Sequence, residues 1–593
     1  MFEQIKPTPK AIGAHWLAFL IPFIGGLYLA DYRVFTEATL KFLYFFSAFM
    51  LLLWMFTIFS KHFVWLRAYL LPFSFFALGF WQQFLVQQAF RETRKIQPRK
   101  SIFGLLEIDE VQVKTNGQLL FGSFHFQQYG KTKTLPIQVY TDLQQALFAQ
   151  EKLWISCKPE VVQNETYPGA FDLERFLQLK GITHVAYLDS SDIIRRFSRP
   201  ENTHWRHLLA QQRTSFTKLF ERFLDGEAAD VAIALIIGDR SGVDAASKMA
   251  FQGTGSMHIM AVSGMHIALL INVLLQVCAY LGSWIPRRSV IIFLLILIWY
   301  YAILTGLSAA VLRSVVMFTF LLLGQLSGKQ VSSLLLLYFS AFLLLLFDPL
   351  LLFDLGFQLS YMAMWGIFLL YPKISAYLHF RWSYLQTLWE GTALGLAATL
   401  STAPLSLYYF HSFPNYFALA NLFLMSLSSF ILVLGMLFPL VALLPQLNII
   451  FGWILEKSIE LLLLIMDFFA KLPGALVQGF SFSFLWVFGV WLLLYYWQRG
   501  LNLSQQRLAA TFSVFFLAEL SFGRILNYQT HEVFQLKKQQ IVAIKAHGCL
   551  QFFAKQPSNK TYLLRQGFET YYGVPSQMKI LNKNFIFVKI LNP

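Results

Sequence analysis

The sequence predicts a polytopic α-helical membrane protein with an inserted extracytoplasmic small β-barrel domain and a short β-rich C-terminal tail. Three observations predict this class. Of the 593 residues, 56% are hydrophobic and only 13% charged, whereas soluble domains carry about a quarter charged residues. The apolar residues gather in runs of about 20, the length that crosses a bilayer. Those runs are interrupted by one long polar stretch, residues 101–199, with strand-like patterning. Such a balance excludes a disordered chain, a fibrous protein and an ordinary cytosolic enzyme.

Residues 1–90 read as N-terminal transmembrane helices. Lys6 and Lys10 precede an apolar run, Ala11–Ala30, with no small-residue cleavage site after it, so it is a span rather than a signal peptide. Leu40–Phe59 and Phe63–Val86 follow. Arg91, Arg94, Lys95, Arg99 and Lys100 then form a basic collar at the head of a soluble domain, 91–200. Its short β-rich runs, Ile137–Tyr140, Leu153–Cys157 and His184–Leu188, are separated by Asn-Gly, Tyr-Gly and Lys-Pro turn signals. That pattern suits a small barrel or sandwich. Three preceding spans, with the N-terminus inside, place the domain outside the cytoplasm. The basic collar favours the opposite side, but the charge rule counts little for inserts longer than about 60 residues.

A linker, 201–227, contains the amphipathic run Trp205–Leu224, with Arg206, Arg213, Lys218 and Arg222 on its polar side, a pattern that suits a membrane surface. From 228 to 520 the hydropathy returns, with spans expected near 257–281, 289–306, 309–326, 331–347, 355–371, 388–410, 416–443, 448–470, 481–498 and 504–520. The tail, 521–593, is basic and strand-like at Gln540–Ala546 and Phe585–Ile590. Across the chain 47 Lys and Arg outweigh 31 Asp and Glu, a net charge of +16 that suits anionic lipid or a polyanionic substrate. Three cysteines are too few for a disulfide framework, although Cys157 and Cys549 both fall in polar regions and could pair in an oxidising compartment.

A charged side chain at mid-membrane costs on the order of 3 kcal/mol, so those in the apolar half call for a reason. The richest cluster runs through Gly238-Asp239-Arg240 and then Gly253-Thr254-Gly255-Ser256-Met257-His258-Ile259-Met260-Ala261-Val262-Ser263-Gly264-Met265-His266. Close helix packing explains the glycines; it does not explain Asp239, Arg240, His258 and His266 together. A metal shared by the two histidines is disfavoured, because eight helical residues span about 12 Å while a zinc needs both nitrogens within about 2 Å. No HExxH occurs, and Gly324–Gln330 fails the phosphate-loop spacing. No metal, cofactor or catalytic residue is therefore assigned. Ser263-Gly264 with a histidine invites comparison with an intramembrane serine hydrolase, but Ala261 replaces the first glycine of that Gly-x-Ser-Gly turn. Arg313, Gln358, Ser360, Pro404 and Asn421 are further polar or helix-bending positions, each also open to a packing role.

These residues resemble the core signature of the ComEC competence proteins. The resemblance runs through Gly238-Asp239-Arg240, Thr254-Gly255, His258, Ala261-Val262-Ser263-Gly264 and His266. It extends to Arg313 with Met317, Asp348-Pro349, Gly356-Phe357-Gln358-Leu359-Ser360, Pro404 and Asn421. Upstream, Pro168-Gly169-Ala170-Phe171-Asp172 with Gly181-Ile182 is similar to the end of the OB-like barrel that precedes the channel in that family. The resemblance covers residues 30–500 or so. It implies a multi-pass protein of the bacterial cytoplasmic (inner) membrane that conducts single-stranded DNA into the cytoplasm during natural transformation. Its partners would be the strand, membrane lipids, a DNA receptor outside the membrane, and a cytoplasmic motor or strand-binding proteins. Longer members carry a metallo-β-lactamase-like domain marked by His-x-His-x-Asp-His; no such cluster occurs here, so a short, transport-only form without enzymatic activity is expected.

A strand crossing about 30 Å of hydrocarbon exposes on the order of nine phosphates, which lipid cannot accept. The pore candidates are Gly238, Asp239, Arg240, Thr254, Gly255, His258, Ser263, Gly264, His266, Arg313, Gln358 and Ser360. Lys131 and Lys133 are candidate DNA contacts on the soluble domain, with Tyr129, Tyr140 and Trp154 as either stacking surfaces or barrel core. An intramembrane hydrolase using Ser263 and a histidine, or a transporter of another anionic substrate, remains as the alternative.

Overall fold

A computed structural model of the chain describes residues 11–31, 45, 49, 64–98, 100–114, 117–128, 130–143, 147, 151–164, 172–197, 205–260, 262–280, 286–328, 331–478, 482, 484–499, 532–536, 541–546, 549–554 and 576–580. It is mostly helical, with one large sheet. Helices α1 (Ala11–Asp31) and α2 (Val64–Arg94) lie along each other. They approach backbone to backbone because glycines sit at the crossing. A Cβ on Gly26 would overlap the Phe76 carbonyl oxygen, and one on Gly79 would overlap that of Phe23. Small residues allow such approach between apolar helices. Helix α2 runs past the expected end at Val86, so the collar begins as helix. The Nε2 groups of Gln83 and Gln87 donate to Asp31 Oδ1 at 2.8 and 2.6 Å and hold this extension. The span expected at 40–59 lies almost wholly outside the described residues.

Strands β1 (Ile102–Lys114), β2 (Gly117–Gln128), β3 (Lys131–Thr141), β4 (Lys152–Cys157), β5 (Glu160–Val161), β6 (His184–Leu188) and β7 (Ile193–Phe197) form one sheet, ordered β5-β6-β3-β2-β1-β4-β7. The three β-rich runs read from the sequence fall in β3, β4 and β6. Only β3 and β6 pair in parallel, and helix α3 (Leu173–Leu179) lies in the crossover between them. The sheet carries a main apolar core drawn from five strands, including Leu106, Phe124, Ile137, Leu153 and Leu188, and a smaller cluster of Phe121, Val162, Leu177 and Ile182 under α3. It does not close as the expected barrel: β5 and β7 are left as edges, and β5 contributes only two residues. Cys157 is free and buried in this core, so the pairing with Cys549 is not made; burial pushes its thiol up to about 12. His184 ties the sheet to the residues after α2. Its Nε2–H donates to the Ile96 carbonyl at 2.9 Å, its Nδ1 faces the Thr183 hydroxyl at 2.7 Å, and burial holds the imidazole below its usual range.

Helix α4 (Trp205–Phe223) is amphipathic as expected, with Phe220 fully buried and Lys218 and Arg222 exposed. There follow α5 (Gly226–Ile236), α6 (Ala245–Gly253), α7 (Gly264–Tyr280), α8 (Arg287–Leu304), α9 (Ala309–Leu326) and α10 (Ser333–Phe347). After a 3-10 turn (Pro349–Phe353) come α11 (Leu355–Ser375), α12 (Ser383–Phe410), α13 (Phe417–Val441), α14 (Leu447–Ala470) and α15 (Phe484–Arg499). Two short strands, β8 (Ser412–Pro414) and β9 (Leu476–Gln478), pair between these helices. Helices α9 and α13 are long and apolar enough to cross a membrane. The helix expected from 257 starts only at Gly264, and the segment expected at 504–520 lies outside the described residues. Strands β10 (Glu532–Leu536), β11 (Ile541–Ala546), β12 (Cys549–Ala554) and β13 (Ser576–Ile580) make a small tail sheet. The expected strand at 585–590 is not among the described residues.

The helical half packs around separate apolar clusters. One is built by α4, α5, α6, α13 and α14 and takes in Ile259 and Met260; a second is built by α7, α8 and α9 and takes in Val262. The glycine-rich segment between α6 and α7 thus runs along the seam between two cores.

The glycine crossing of α1 and α2 is directly testable. Gly26→Ala should destabilise the protein by about 1–3 kcal/mol, as overpacking does, and lower folded yield. Gly25→Ala, whose Cβ would meet only the Phe76 ring at 3.8 Å, should leave the thermal-unfolding midpoint unchanged or slightly raised.

Candidate functional site

The segment following α5 begins with a left-handed glycine. Gly238 has φ +88°, and a Cβ there would press on Val262 at 3.1 Å and lie 3.6 Å from the Thr305 carbonyl oxygen. Two residues earlier in the same corner, the Tyr301 hydroxyl donates to the Ile236 carbonyl at 2.9 Å. Asp239 is exposed and accepts from the Ser241 backbone N–H at 3.0 Å and hydroxyl at 2.7 Å. Arg240 reaches back to the seam, its Nε–H donating to the Met260 carbonyl at 3.1 Å. Around this corner stands an acidic group that the sequence reading did not single out. Burial, then the carboxylates of Asp239, Asp244 and Glu227, raise the Asp230 carboxyl above its usual range. Gly242 packs directly on that carboxylate. Among the described residues no group of three or more His, Cys, Asp or Glu is placed to hold a metal.

Helix α6 ends at a second left-handed glycine, Gly255 (φ +71°), where a Cβ would run into Pro414 at 2.6 Å. The Ser256 N–H donates to the Phe251 carbonyl at 2.8 Å, closing the helix end, and its hydroxyl reaches Asn421 Oδ1 at 3.2 Å. Thr254 is buried and spends its hydroxyl on the Ala250 and Phe251 carbonyls. His258 lies in the turn, exposed, with Nδ1 3.1 Å from the Gly255 carbonyl oxygen. Since 254–260 and 262–263 are not helical, the helical spacing used to judge a shared metal does not apply.

Ser263 and His266 come together at the start of α7. The Met265 N–H donates to Ser263 Oγ at 3.2 Å, and the Ser263 N–H donates to His266 Nδ1 at 3.1 Å. This is a reciprocal capping box in which a histidine occupies the third helical position normally held by Glu or Gln. Ser263 Oγ also lies 3.0 Å from Nδ1. Because Nδ1 accepts from an N–H, the ring is the neutral form protonated on Nε2. Nε2 is buried without a well-formed hydrogen bond, with the Leu235 backbone beside the ring. A serine hydrolase needs a group that orients the base from that side; among the described residues no carboxylate bonds to it.

Directly over the first residue of α7 stands Arg313 of α9. A Cβ on Gly264 would come within 2.5 Å of Ser314 Oγ and 3.0 Å of Arg313 Nη2. Arg313 is 5% exposed, so its guanidinium stays inside the helical half, and its Cζ lies 5.8 Å from the centre of the Tyr361 ring. The Tyr361 hydroxyl in turn pairs with Ser340 at 3.0 Å.

Gln358 and Ser360 do not join this corner. Gln358 Nε2 donates to the Leu352 carbonyl at 2.8 Å, while Ser360 is half-buried on α11. Gln358 belongs instead to the seat of the sheet domain. There Arg175 of α3 forks onto Asp31 of α1, with contacts of 3.1 and 2.7 Å, and lies 4.2 Å over the Phe353 ring. Arg94 pairs with Glu174 at 2.6 Å beside it. A polar cavity of about 230 Å³ opens here between Asp31, Gln87, Phe90, Arg91, Arg94 and Gln178. Neither Asp31 nor Arg175 was singled out from the sequence, because one looked like a span end and the other like a surface charge.

On the sheet, Lys131 is exposed and Lys133 half-buried at the start of β3. Trp154 is 41% exposed, so it faces out of the core, and Tyr140 packs edge-on against Tyr187, itself 74% exposed. Tyr129 lies outside the described residues.

The architecture is a set of apolar helices with one interrupted segment between α6 and α7, and a sheet domain tied to α1 and α2. Residues 235–502 match the family model described as Competence protein. The chain is 33% identical over 255 residues to ComE operon protein 3 of Bacillus subtilis, an alignment spanning 43% of this chain and 31% of that protein. It is 26% identical over 282 residues to Recombination protein 2 of Haemophilus influenzae, spanning 46% of this chain and 34% of that protein. Each alignment thus spans about a third of the curated relative's length. No solved structure matches. Residues 235–502 are therefore similar to a competence domain, the region in which the chain aligns with these competence and recombination proteins.

Two predictions follow from this geometry. Ser263→Ala should destabilise the start of α7 by about 1 kcal/mol, whereas His266→Gln, whose amide oxygen still accepts the Ser263 N–H, should leave thermal unfolding and transformation near parental. If His266 were a catalytic base, the Gln variant would be dead. At the domain seat, Arg175→Ala should cost about 1–3 kcal/mol, since it strands a largely buried carboxylate; hydrogen exchange across 172–180 should rise while that of α11 and α12 stays unchanged.

Proposed function

We propose that this chain is a multi-pass protein of the bacterial cytoplasmic membrane that conducts single-stranded DNA into the cytoplasm during transformation. The observation that carries the reading is the interrupted segment between α6 and α7. Non-helical backbone in an apolar helical domain is tolerated where protein encloses it or where it lines a water-filled cavity. Here it is hydrogen-bonded within the protein and lies beside a buried arginine, the arrangement found where transporters handle charged cargo. The competence-family match covers this segment. In this reading the sheet domain and its OB-like curl lie outside the cytoplasm, and Lys131, Lys133 and the exposed Trp154 and Tyr187 receive the strand. Helix α4 lies at the membrane surface. A receptor delivers the DNA, and a cytoplasmic motor or strand-binding proteins draw it in. The channel itself carries out no chemistry and needs no cofactor.

Deletion of the protein should abolish arrival of labelled DNA in the cytoplasm and the formation of transformants, while binding of DNA outside the cytoplasmic membrane persists. Normal transformation in the deletion strain would overturn the proposal. A requirement for Ser263 in lipid or peptide hydrolysis, with DNA uptake intact in Ser263→Ala, would favour the hydrolase reading instead.

A further inference from the structure

We infer that Arg313, together with the first turn of α7, forms a binding site for a phosphodiester group of the transported strand. The inference rests on the channel reading above and adds to it the place where the polyanion is held. Arg313 is 5% exposed, its Nε is buried without a partner, and it makes no hydrogen bond or ion pair with any described residue. Its aromatic neighbour, Tyr361, supplies no negative charge, since a phenol is neutral near pH 7; its hydroxyl is paired with Ser340. A guanidinium stays protonated in proteins, so a full cation is held inside the helical half without a fixed counter-charge.

What it faces sharpens the argument. Gly264 is the first residue of the 17-residue helix α7, and its missing side chain leaves room for Nη2, which a Cβ would approach to 3.0 Å. A helix N-terminus carries partial positive charge and favours anions, not cations. An arginine and a helix N-terminus that face each other repel unless an anion stands between them. The cap residues have already spent their own groups: the Ser263 and Met265 N–H groups are taken by His266 and Ser263, and the Ser314 hydroxyl donates to the Ala310 carbonyl at 3.0 Å. The anion is therefore held chiefly by the guanidinium fork and the helix end, both of which suit phosphate oxygens. The corner lies between α7, α9 and α11, and Ser314 is buried. That enclosed position favours a phosphate threaded through the protein over the headgroup of a surrounding lipid.

The test uses the full chain purified in a neutral, phosphate-free detergent, with fluorescent oligothymidylate as probe and inorganic phosphate as competitor. The parent should bind the oligonucleotide, and phosphate should displace it. Arg313→Gln should weaken oligonucleotide binding about tenfold and remove the Arg313-dependent part of the phosphate competition, with a thermal-unfolding midpoint no lower than parental. Arg313→Lys, which keeps the charge but not the fork, should fall between the two and serves if the Gln variant misfolds. Oligonucleotide affinity and phosphate competition unchanged in both variants would overturn the site while leaving the channel reading intact. Failure of the parent itself to bind any oligonucleotide would strike the channel reading. Arg313-dependent displacement of phosphate by anionic phospholipid vesicles, but not by oligonucleotide, would overturn the inference in favour of a lipid site.

Discussion

The helical half of the molecule depends on one constraint: backbone that leaves a helix among apolar neighbours must find its hydrogen-bond partners inside the protein. Between Gly253 and Gly264 the chain meets that constraint step by step. The Ser256 N–H closes onto Phe251, the Ile259 N–H onto Ser256, Arg240 covers the Met260 carbonyl, and Ser263 and His266 cap the new helix reciprocally. The choice of histidine at the cap follows from the same physics. A glutamate in that position would accept the same N–H but would bring a carboxylate into a fully buried site, at a cost of several kcal/mol. A neutral imidazole accepts the bond without the charge.

Fixing the break in place requires that the surrounding helices hold fixed distances, and glycine contacts set those distances. Gly26 and Gly79 bring α1 and α2 together, Gly366 lies on Ser401 and the Ala397 carbonyl between α11 and α12, and Gly435 receives Ile236 between α13 and α5. The last contact bears on the site directly, because Ile236 also offers its carbonyl to Tyr301 one residue before Ile237-Gly238. The sheet domain is held to the helices by a polar seat built on Asp31. Asp31 is bound at once by Gln83, Gln87 and Arg175, so the end of α1, the end of α2 and the crossover helix of the sheet share one carboxylate.

Much of this was legible in the sequence where one period or one residue type decides the outcome. The apolar runs gave the helices, the alternating runs around Ile137, Leu153 and His184 gave strands in their right places, and the polar stripe of Arg213, Lys218 and Arg222 gave α4. The cluster 238–266 was visible because charges and glycines stand out against lipid-like surroundings, and the structure gathers its members at one seam with Arg313. What was not legible is pairwise. That His258 and His266 lie on different kinds of backbone depends on Gly255 and Ser263 ending and starting helices inside what reads as one apolar run. That the sheet stays open depends on β5 having only two residues, which no periodicity reveals. The Asp31–Arg175 fork joins residues 144 apart in sequence, each unremarkable alone.

Two arginines, half-buried Arg175 at the domain seat and buried Arg313 in the helical half, are treated in opposite ways. Arg175 is given a carboxylate at two-point distance and an aromatic ring to lie on, which fixes it. Arg313 is given a ring but no carboxylate, although Asp230, Asp239 and Asp244 stand in the neighbouring corner. A fixed carboxylate at Arg313 would stabilise the fold, because an unpaired buried cation costs several kcal/mol. On the proposed reading it would also occupy the fork that an incoming anion would use. Conduction needs a site that binds well enough to admit the charge and weakly enough to release it. On the proposed channel reading, a single cation opposed by the positive end of a helix would meet both demands, admitting each phosphate in turn without a cage of charges to keep it.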